Sequence, residues 1–117
     1  MADTTAEFFA AWQADRQAMK EQAPEMARAF GGFYQAVMKE GALTVREKEL
    51  IALAIGLAMH CRGCINLHTQ GCVKAGASRE QILEAAGVAV MMQGGPAFTN
   101  IPEVLHALDH LETQTKA

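Results

Sequence analysis

The sequence predicts an all-α bundle of five to six helices within one domain, residues 1–117. Half of the residues are hydrophobic but only 6% are aromatic, so the apolar mass is largely aliphatic and includes seven methionines. Strands favour aromatic and β-branched residues, which makes this composition typical of helices. Two Ser/Thr-x-x-Glu/Gln capping boxes and several Gly or Pro breaks divide the chain into helix-length segments with short turns between them.

The first two predicted helices carry large apolar side chains at helical spacing. The first covers about residues 5–22, and the second about residues 24–40, with Gly31 and Gly32 inside it. We interpret the apolar positions as packing faces, and the two glycines predict close helix packing or a kink. These positions are Phe8, Phe9, Trp12 and Met19 in the first helix, and Met26, Phe30, Phe33, Tyr34, Val37 and Met38 in the second.

The third predicted helix begins at the capping box of Thr44 and Glu47 and ends near residue 59 or 60. After Glu49 its sequence is apolar up to Met59. At about 100° per residue, Glu49 lies on the face that leads toward Cys61. The other members of that face are Leu53, Gly56 and His60.

The remaining helices follow from capping and breaking residues. The fourth is expected to start at or within residues 61–64 and to end at Gly76. Ser78 caps a fifth helix, which a Gly-Gly-Pro sequence ends. A sixth helix starts at about Ala97 or Pro102. The predicted buried face of the fifth helix is Ile82, Leu83, Ala86, Val90 and Met91.

Charge and hydropathy predict where the protein is located and which classes of partner it lacks. The formal net charge of -3 gives no electrostatic basis for binding nucleic acid or an anionic membrane. No signal sequence is recognisable, and the longest apolar run, residues 50–59, is shorter than the roughly 18 residues of a membrane span. We therefore expect a cytoplasmic protein without nucleic-acid or membrane partners. Thiols stay reduced there, so a Cys-x-x-Cys pair is expected to be redox-active, catalytic or metal-binding.

Cys61 and Cys64 form such a pair, and His68 follows one helical turn later. The amides and dipole of a helix N-terminus favour thiolate over thiol. Cys64 and His68 are an i,i+4 pair, so the imidazole can take a thiol proton directly or through one water. Glu49 can orient the imidazole, which completes an arrangement of nucleophile, base and orienter. One sulfur can then attack an oxidised substrate and the other can close the disulfide.

Spacing excludes some other interpretations of the cysteines and leaves others open. Haem attachment requires a histidine directly after the second cysteine, where Ile65 stands. Spacing also argues against a zinc site that uses Cys72, because Cys61 and Cys72 would lie about 16 Å apart along one continuous helix. A smaller metal site of Cys61, Cys64 and His68 stays open, as does a pair of buried cysteines without chemistry. The absence of βαβ patterning excludes a thioredoxin fold.

One stretch of the chain resembles a known family over about residues 43–98. The matching features are Glu49, Cys61, Cys64, His68, Thr69, the Ala75-Gly76-Ala77 turn, Arg79 to Ile82 and the break from Met92 to Ala97. Together they are similar to the carboxymuconolactone decarboxylase superfamily, and specifically to its AhpD-like alkylhydroperoxidase branch.

The resemblance implies an all-α fold whose central helices pair as a hairpin, assembled into homotrimers or homohexamers. It also implies a thiol-dependent peroxidase or disulfide oxidoreductase acting on hydroperoxides or disulfides. In such enzymes the residues matching Cys61 and Cys64 cycle between dithiol and disulfide, and those matching His68 and Glu49 relay protons. A lipoyl-protein or another thiol reductant restores the dithiol, so no cofactor beyond the reversible disulfide is implied.

Two alternative functions follow from the same resemblance. Some peroxidases of the family have a histidine directly before the second cysteine, where this chain has Gly63. A non-catalytic redox-sensing or assembly module is therefore one alternative. A lyase that acts on a lactone ring, as the decarboxylases of the superfamily do, is the other. Those decarboxylases lack the cysteine pair, so the presence of both cysteines in this chain argues against it.

Overall fold

Helices make up most of the described chain, residues 4–116 of a computed structural model, and none of these residues is in a strand. The helices are α1 (Thr5–Gln22), α2 (Pro24–Met38), α3 (Val45–Ala58), α4 (Arg62–Lys74), α5 (Arg79–Gln93), α6 (Gly95–Phe98) and α7 (Ile101–Lys116). The predicted all-α class is confirmed. The expected last helix is present as the single turn α6 followed by α7.

The described residues divide into two compact units. Unit 1 extends to Lys39 and contains α1 and α2, and unit 2 begins at Glu40 and contains α3 to α7. That a single domain spans residues 1–117 stays a prediction. No helix in residues 4–116 combines the length and the apolar character needed to cross a membrane.

Capping boxes start three of the helices. At the start of α3, the Thr44 hydroxyl accepts from the Glu47 amide at 3.1 Å, and the Glu47 carboxylate accepts from the Thr44 amide at 2.8 Å. The hydrogen bonds from the Thr44 backbone and side chain lower the pKa of Glu47. Ser78 starts α5 in the same way, as predicted, and Thr4 starts α1 together with Glu7. These helix starts are therefore determined by local sequence.

Unit 1 contains no buried side chain among its described residues. The apolar face predicted on α2 is exposed, with Phe30 at 63% and Phe33 at 65% exposure. A hairpin of two helices has no interior deep enough to cover such side chains. The helix runs through Gly31 and Gly32 without a break, and a Cβ on either would face open space. The close packing predicted at these glycines is therefore absent from the described structure.

Unit 2 has a hydrophobic core to which each of its helices contributes. The helix α3 packs against α4 and α5, and α4 packs against α7. Burying a leucine or isoleucine side chain stabilises the fold by roughly 1.5–3 kcal/mol. The buried members of the core are Leu53, Leu57, Ile65, Cys72, Ile82, Ala86, Ala89, Ala97, Val104 and Leu108.

One residue predicted to lie in this core is exposed. Met91 has 71% of its surface exposed, whereas the buried face of α5 consists of Ile82, Ala86 and Ala89. Nine residues at about 100° each place Met91 about 180° around the helix from Ile82. The prediction for Met91 was wrong because this residue lies on the opposite side of α5 from the buried face.

Candidate redox site

The candidate site lies in a hairpin formed by α3 and α4. Two close approaches define its antiparallel register: Gly56 faces Cys64, and seven residues away along each helix Glu49 faces Gly71. A Cβ added to Gly56 would lie 2.7 Å from the Cβ of Cys64. The helices can approach this closely because Gly56 has no side chain. The central hairpin implied by the family resemblance is thus present.

The turn between the two helices is a Schellman motif. The amide of His60 donates to the carbonyl of Leu57 at 3.1 Å, and that of Cys61 donates to the carbonyl of Gly56 at 3.0 Å. His60 adopts the left-handed conformation, with φ of 57°. The equivalent position after α4 is occupied by Gly76, as predicted, with φ of 89°. The left-handed turn at His60 directs the chain straight into Cys61.

Gln93, at the end of α5, holds this turn from outside the hairpin. Its Nε2 donates to the carbonyl of Ala58 at 2.8 Å and lies 2.9 Å from Nε2 of His60. Both bonds can form at once because an amide nitrogen carries two hydrogens. The side chain of His60 is exposed and bonded to Gln93. Gln93 thus fixes the segment that precedes the first cysteine.

Cys61 is the N-cap residue of α4, and its Sγ accepts from the amide of Cys64 at 3.1 Å. The two cysteines form a disulfide with their Cα atoms 5.2 Å apart, within the normal range. Both residues are partly buried. The helix begins at Arg62, inside the predicted segment. Reduction would therefore leave two thiols at a helix N-terminus, where amides and the dipole stabilise a thiolate.

Glu49 and His68 form a close pair across the hairpin. The Nδ1 of His68 lies 2.7 Å from Oε1 of Glu49, and their side chains are only 19% and 11% exposed. An ionised carboxylate can only accept a hydrogen bond, so the imidazole donates from Nδ1. Nε2 of the neutral ring is then the atom with a lone pair for a proton. His68 lies one helical turn after Cys64, so the base and the cysteine pair belong to the same helix end.

The third cysteine, Cys72, belongs to the core. Its side chain is fully buried. Burial, and to a smaller extent the negative charge of Glu49, raise the pKa of the Cys72 thiol to about 12. Cys72 is therefore a neutral thiol at physiological pH.

A polar cluster that the sequence did not predict ties the first turn of α4 to α7. The Nε of Arg62 donates to Oε1 of Glu103 at 2.7 Å. The buried side chain of Asn66 donates from Nδ2 to the same Glu103 oxygen at 3.0 Å and to the carbonyl of Arg62 at 3.2 Å. Glu103 lies 41 residues from Arg62, so no local pattern could pair them. Asn66 lies on the buried face of α4 beside Ile65 and Thr69, and a buried amide requires hydrogen-bond partners.

The described residues offer no candidate metal centre. In residues 4–116, no three His, Cys, Asp or Glu side chains are grouped in a way that could hold a metal ion. The four predicted site residues instead form two pairs, a disulfide and a carboxylate-imidazole hydrogen bond. The cysteine pair can be oxidised and reduced between dithiol and disulfide, and the imidazole can accept or donate a proton.

Comparison with solved structures extends the likeness to nearly the whole chain. A carboxymuconolactone decarboxylase family protein from Legionella pneumophila, solved in its apo form, superposes with a TM-score of 0.87 and 37% identity, over 93% of this chain and 97% of that one. A family protein from Thermotoga maritima, for which a role in the antioxidative response has been suggested, gives a TM-score of 0.71 and 31% identity, over 76% of this chain and 92% of that one.

Comparison of sequences also finds relatives that match most of the chain. Uncharacterized protein 4 in the cox locus of Paracoccus denitrificans is 38% identical over 84 residues, which are 72% of this chain and 76% of that protein. The sequence pattern that defines the Carboxymuconolactone decarboxylase family matches residues 24–110. The chain therefore belongs to the carboxymuconolactone decarboxylase family.

Proposed function

We propose that this protein is a thiol-dependent peroxidase of the AhpD-like alkylhydroperoxidase branch, which reduces hydroperoxides with the Cys61 and Cys64 thiols. The observation that carries the proposal is the disulfide at the N-terminus of α4, one helical turn before an imidazole bonded to a carboxylate. The suggested antioxidative role of the Thermotoga maritima relative supports the same class of chemistry.

The reaction begins with both cysteines reduced. A thiolate attacks the outer oxygen of the hydroperoxide, the O–O bond breaks, and the sulfur becomes a sulfenic acid while the alkoxide takes a proton and leaves as an alcohol. The second thiol attacks the sulfenic sulfur, water leaves, and the Cys61–Cys64 disulfide forms. One hydroperoxide and two thiols thus yield one alcohol, one water and one disulfide.

His68 and Glu49 supply the proton transfers of this cycle. Glu49 holds the His68 ring through Nδ1, so Nε2 can take the proton of a cysteine thiol, directly or through one water. The protonated ring can then give that proton to the leaving alkoxide. The helix N-terminus lowers the cost of the thiolate between these two steps.

A dithiol or thiol reductant completes the cycle. Its thiolate attacks one sulfur of the disulfide, a mixed disulfide forms, and a second thiol releases the reduced enzyme. A lipoyl-protein or a similar thiol system is the proposed reductant, with no further cofactor. A cytosolic location, where thiols are kept reduced, stays part of the proposal.

Assembly into a homotrimer or homohexamer is proposed on separate grounds. The helix α2 exposes five large apolar side chains, Met26, Phe30, Phe33, Tyr34 and Val37. A continuous exposed apolar face of this kind is characteristic of protein interfaces. Sedimentation of the purified chain measures the assembly directly.

The decisive experiment is a thiol count before and after one equivalent of a small organic hydroperoxide, with peptide mapping by mass spectrometry. We expect two thiols to disappear rapidly and a Cys61–Cys64 disulfide to appear. The matched control is Cys72→Ala, which removes the buried thiol and should leave the reaction intact. Cys61→Ser and Cys64→Ser should each abolish disulfide formation.

Other outcomes of this experiment would contradict the peroxidase proposal. If the thiols persist in the presence of hydroperoxide, or if either serine variant turns over like the unmodified protein, the peroxidase proposal is wrong. Release of carbon dioxide from a lactone by the variant lacking both cysteines would support the lyase alternative. A change in assembly on oxidation, without substrate turnover, would support the redox-sensing module.

A further inference from the structure

We propose that Gly71 is a positioning residue of the site, which holds the Glu49 carboxylate against His68 by leaving its own side-chain space empty. The inference rests on the proposed function for its kinetic readout only. Its structural content concerns three residues of the α3/α4 hairpin: Glu49, His68 and Gly71.

The Glu49 carboxylate occupies the volume that a side chain at position 71 would fill. A Cβ built on Gly71 has three atoms of Glu49 as its nearest neighbours, with Cδ at 2.5 Å and Oε2 at 2.7 Å. Real Cβ atoms do not approach other heavy atoms this closely, so even alanine and this carboxylate cannot coexist in the observed positions. Gly71 therefore determines whether Glu49 can lie where it does.

The position of Gly71 on the helix explains how it acts on the base. Gly71 follows His68 by three residues on α4, so the two lie on adjacent turns of one face. The carboxylate that lies over Gly71 accepts the Nδ1 hydrogen of His68 at 2.7 Å. Glycine is one of the least favourable residues inside a helix. Its presence as the tenth of the thirteen residues of α4 is accounted for by the carboxylate that it accommodates.

The two close glycines of the hairpin differ in what an added methyl group would meet. At Gly56 it would meet the Cβ of Cys64, which is fixed to the backbone, so the helices themselves would have to move. At Gly71 it would meet the end of a flexible side chain, which can rotate away. Gly71→Ala is thus expected to preserve the fold and to displace the carboxylate.

The experiment is a double-mutant cycle of Gly71→Ala and Glu49→Ala, with Gly87→Ala as the matched control. Gly87 is also a helical glycine, but nothing lies within 4 Å of a Cβ built on it. We measure the rate of thiol loss with hydroperoxide, and the tautomer of His68 by ¹⁵N NMR of the imidazole. Circular dichroism and thermal melting report the fold.

We expect Gly71→Ala and Glu49→Ala each to slow thiol loss on the order of 10- to 100-fold. The double variant should match Glu49→Ala within about twofold, because Gly71 acts only through the carboxylate. In the imidazole spectrum both single variants should lose the fixed Nδ1–H form that the Glu49 hydrogen bond predicts for the unmodified protein. Gly87→Ala should change neither readout.

The proposal is overturned if Gly71→Ala keeps the Nδ1–H form of His68, or if its kinetic effect adds to that of Glu49→Ala. If Gly71→Ala does not fold, Glu49→Ala should restore folding in the double variant, and failure to do so also overturns it. If the unmodified protein does not react with hydroperoxides, the peroxidase proposal fails separately and the imidazole spectrum alone decides the role of Gly71.

Discussion

Unit 1 and unit 2 are both helical and both rich in apolar residues, yet within residues 4–116 buried side chains occur only in unit 2. In unit 1 the large apolar side chains of α2 are exposed and its glycines face open space. In unit 2 Leu53 and Leu57 are fully buried, and Gly56 and Gly71 each lie against a residue of the candidate site. Amphipathic spacing in a sequence therefore shows only that a helix face is suited to burial. Whether the face is buried depends on close contacts such as those around the candidate site.

The largest expected contrast between the units comes from truncating one apolar side chain in each. Leu53→Ala in the core of unit 2 should lower the free energy of unfolding by about 2–5 kcal/mol, because it removes a buried side chain and leaves a cavity. Phe30→Ala in unit 1, where the ring is 63% exposed, should change it by less than about 0.5 kcal/mol.

Urea unfolding at low protein concentration measures both variants. If Phe30→Ala costs as much as Leu53→Ala under these conditions, the described exposure of α2 does not represent the chain in solution. If Phe30→Ala lowers the free energy of unfolding only at higher protein concentration, α2 is covered by another copy of the chain on assembly. The side chains of unit 1 would then be buried between chains, and those of unit 2 within one chain.

One glycine substitution in each unit tests the difference in packing between the units, with smaller expected changes in stability. Gly56→Ala should destabilise unit 2 by about 1–3 kcal/mol, because the new methyl group overpacks the contact with Cys64. Gly32→Ala should instead stabilise α2 by about 1 kcal/mol, because alanine is the better helix former and the space is open. Thermal unfolding of the two variants should therefore shift in opposite directions. A shift of the same sign in both would contradict the packing difference between the units.

The polar cluster at the start of α4 provides a third test, confined to unit 2. Glu103→Ala removes the acceptor shared by Arg62 and Asn66 and leaves a buried amide donor with one bond fewer. We expect a loss of about 1–3 kcal/mol in unfolding free energy. The matched control is Asp109→Ala, which removes an exposed partner of Arg79 and should cost less than about 1 kcal/mol. Equal effects of the two substitutions would show that the cluster contributes no more than a surface ion pair.

Much of unit 2 could be predicted because its signals are local. Thr44 and Ser78 start helices through bonds that span three residues, and Gly76 ends one through its own backbone conformation. The pairing of Glu49 with His68 was predicted from helical phase and a short turn, since both residues lie on the faces that a hairpin brings together. These inferences needed no knowledge of distant contacts.

The features that escaped prediction depend on contacts across the fold. Gln93 lies 33 residues from His60, and Glu103 lies 37 residues from Asn66, so neither leaves a local trace. The space beside Gly71 is defined by a carboxylate on another helix. In unit 1 the apolar spacing of α2 was read correctly, but spacing does not specify what covers a face, and the described chain leaves Phe30 exposed.

The last prediction concerns the pH dependence of stability that Cys72 confers on unit 2, the unit in which all three cysteines lie. In the oxidised protein, Cys72 is the cysteine that can still titrate. Its pKa is raised to about 12 in the folded state, whereas an unfolded cysteine ionises near pH 8.5. Between these values the unfolded chain binds fewer protons than the folded one, so the unfolding free energy falls as pH rises.

By pH 9.5 this loss should reach roughly 1 kcal/mol relative to pH 7, measured as the difference between the unmodified protein and Cys72→Ala in urea titrations. The comparison with Cys72→Ala removes the contribution of lysines and of Tyr34, which are common to both proteins. If the two proteins lose stability in parallel, the Cys72 thiol is not held in the neutral form by its surroundings. A difference that opens above pH 8.5 instead identifies the interior of unit 2 as the source of the raised pKa, because the buried thiol would have to ionise against the core and the charge of Glu49.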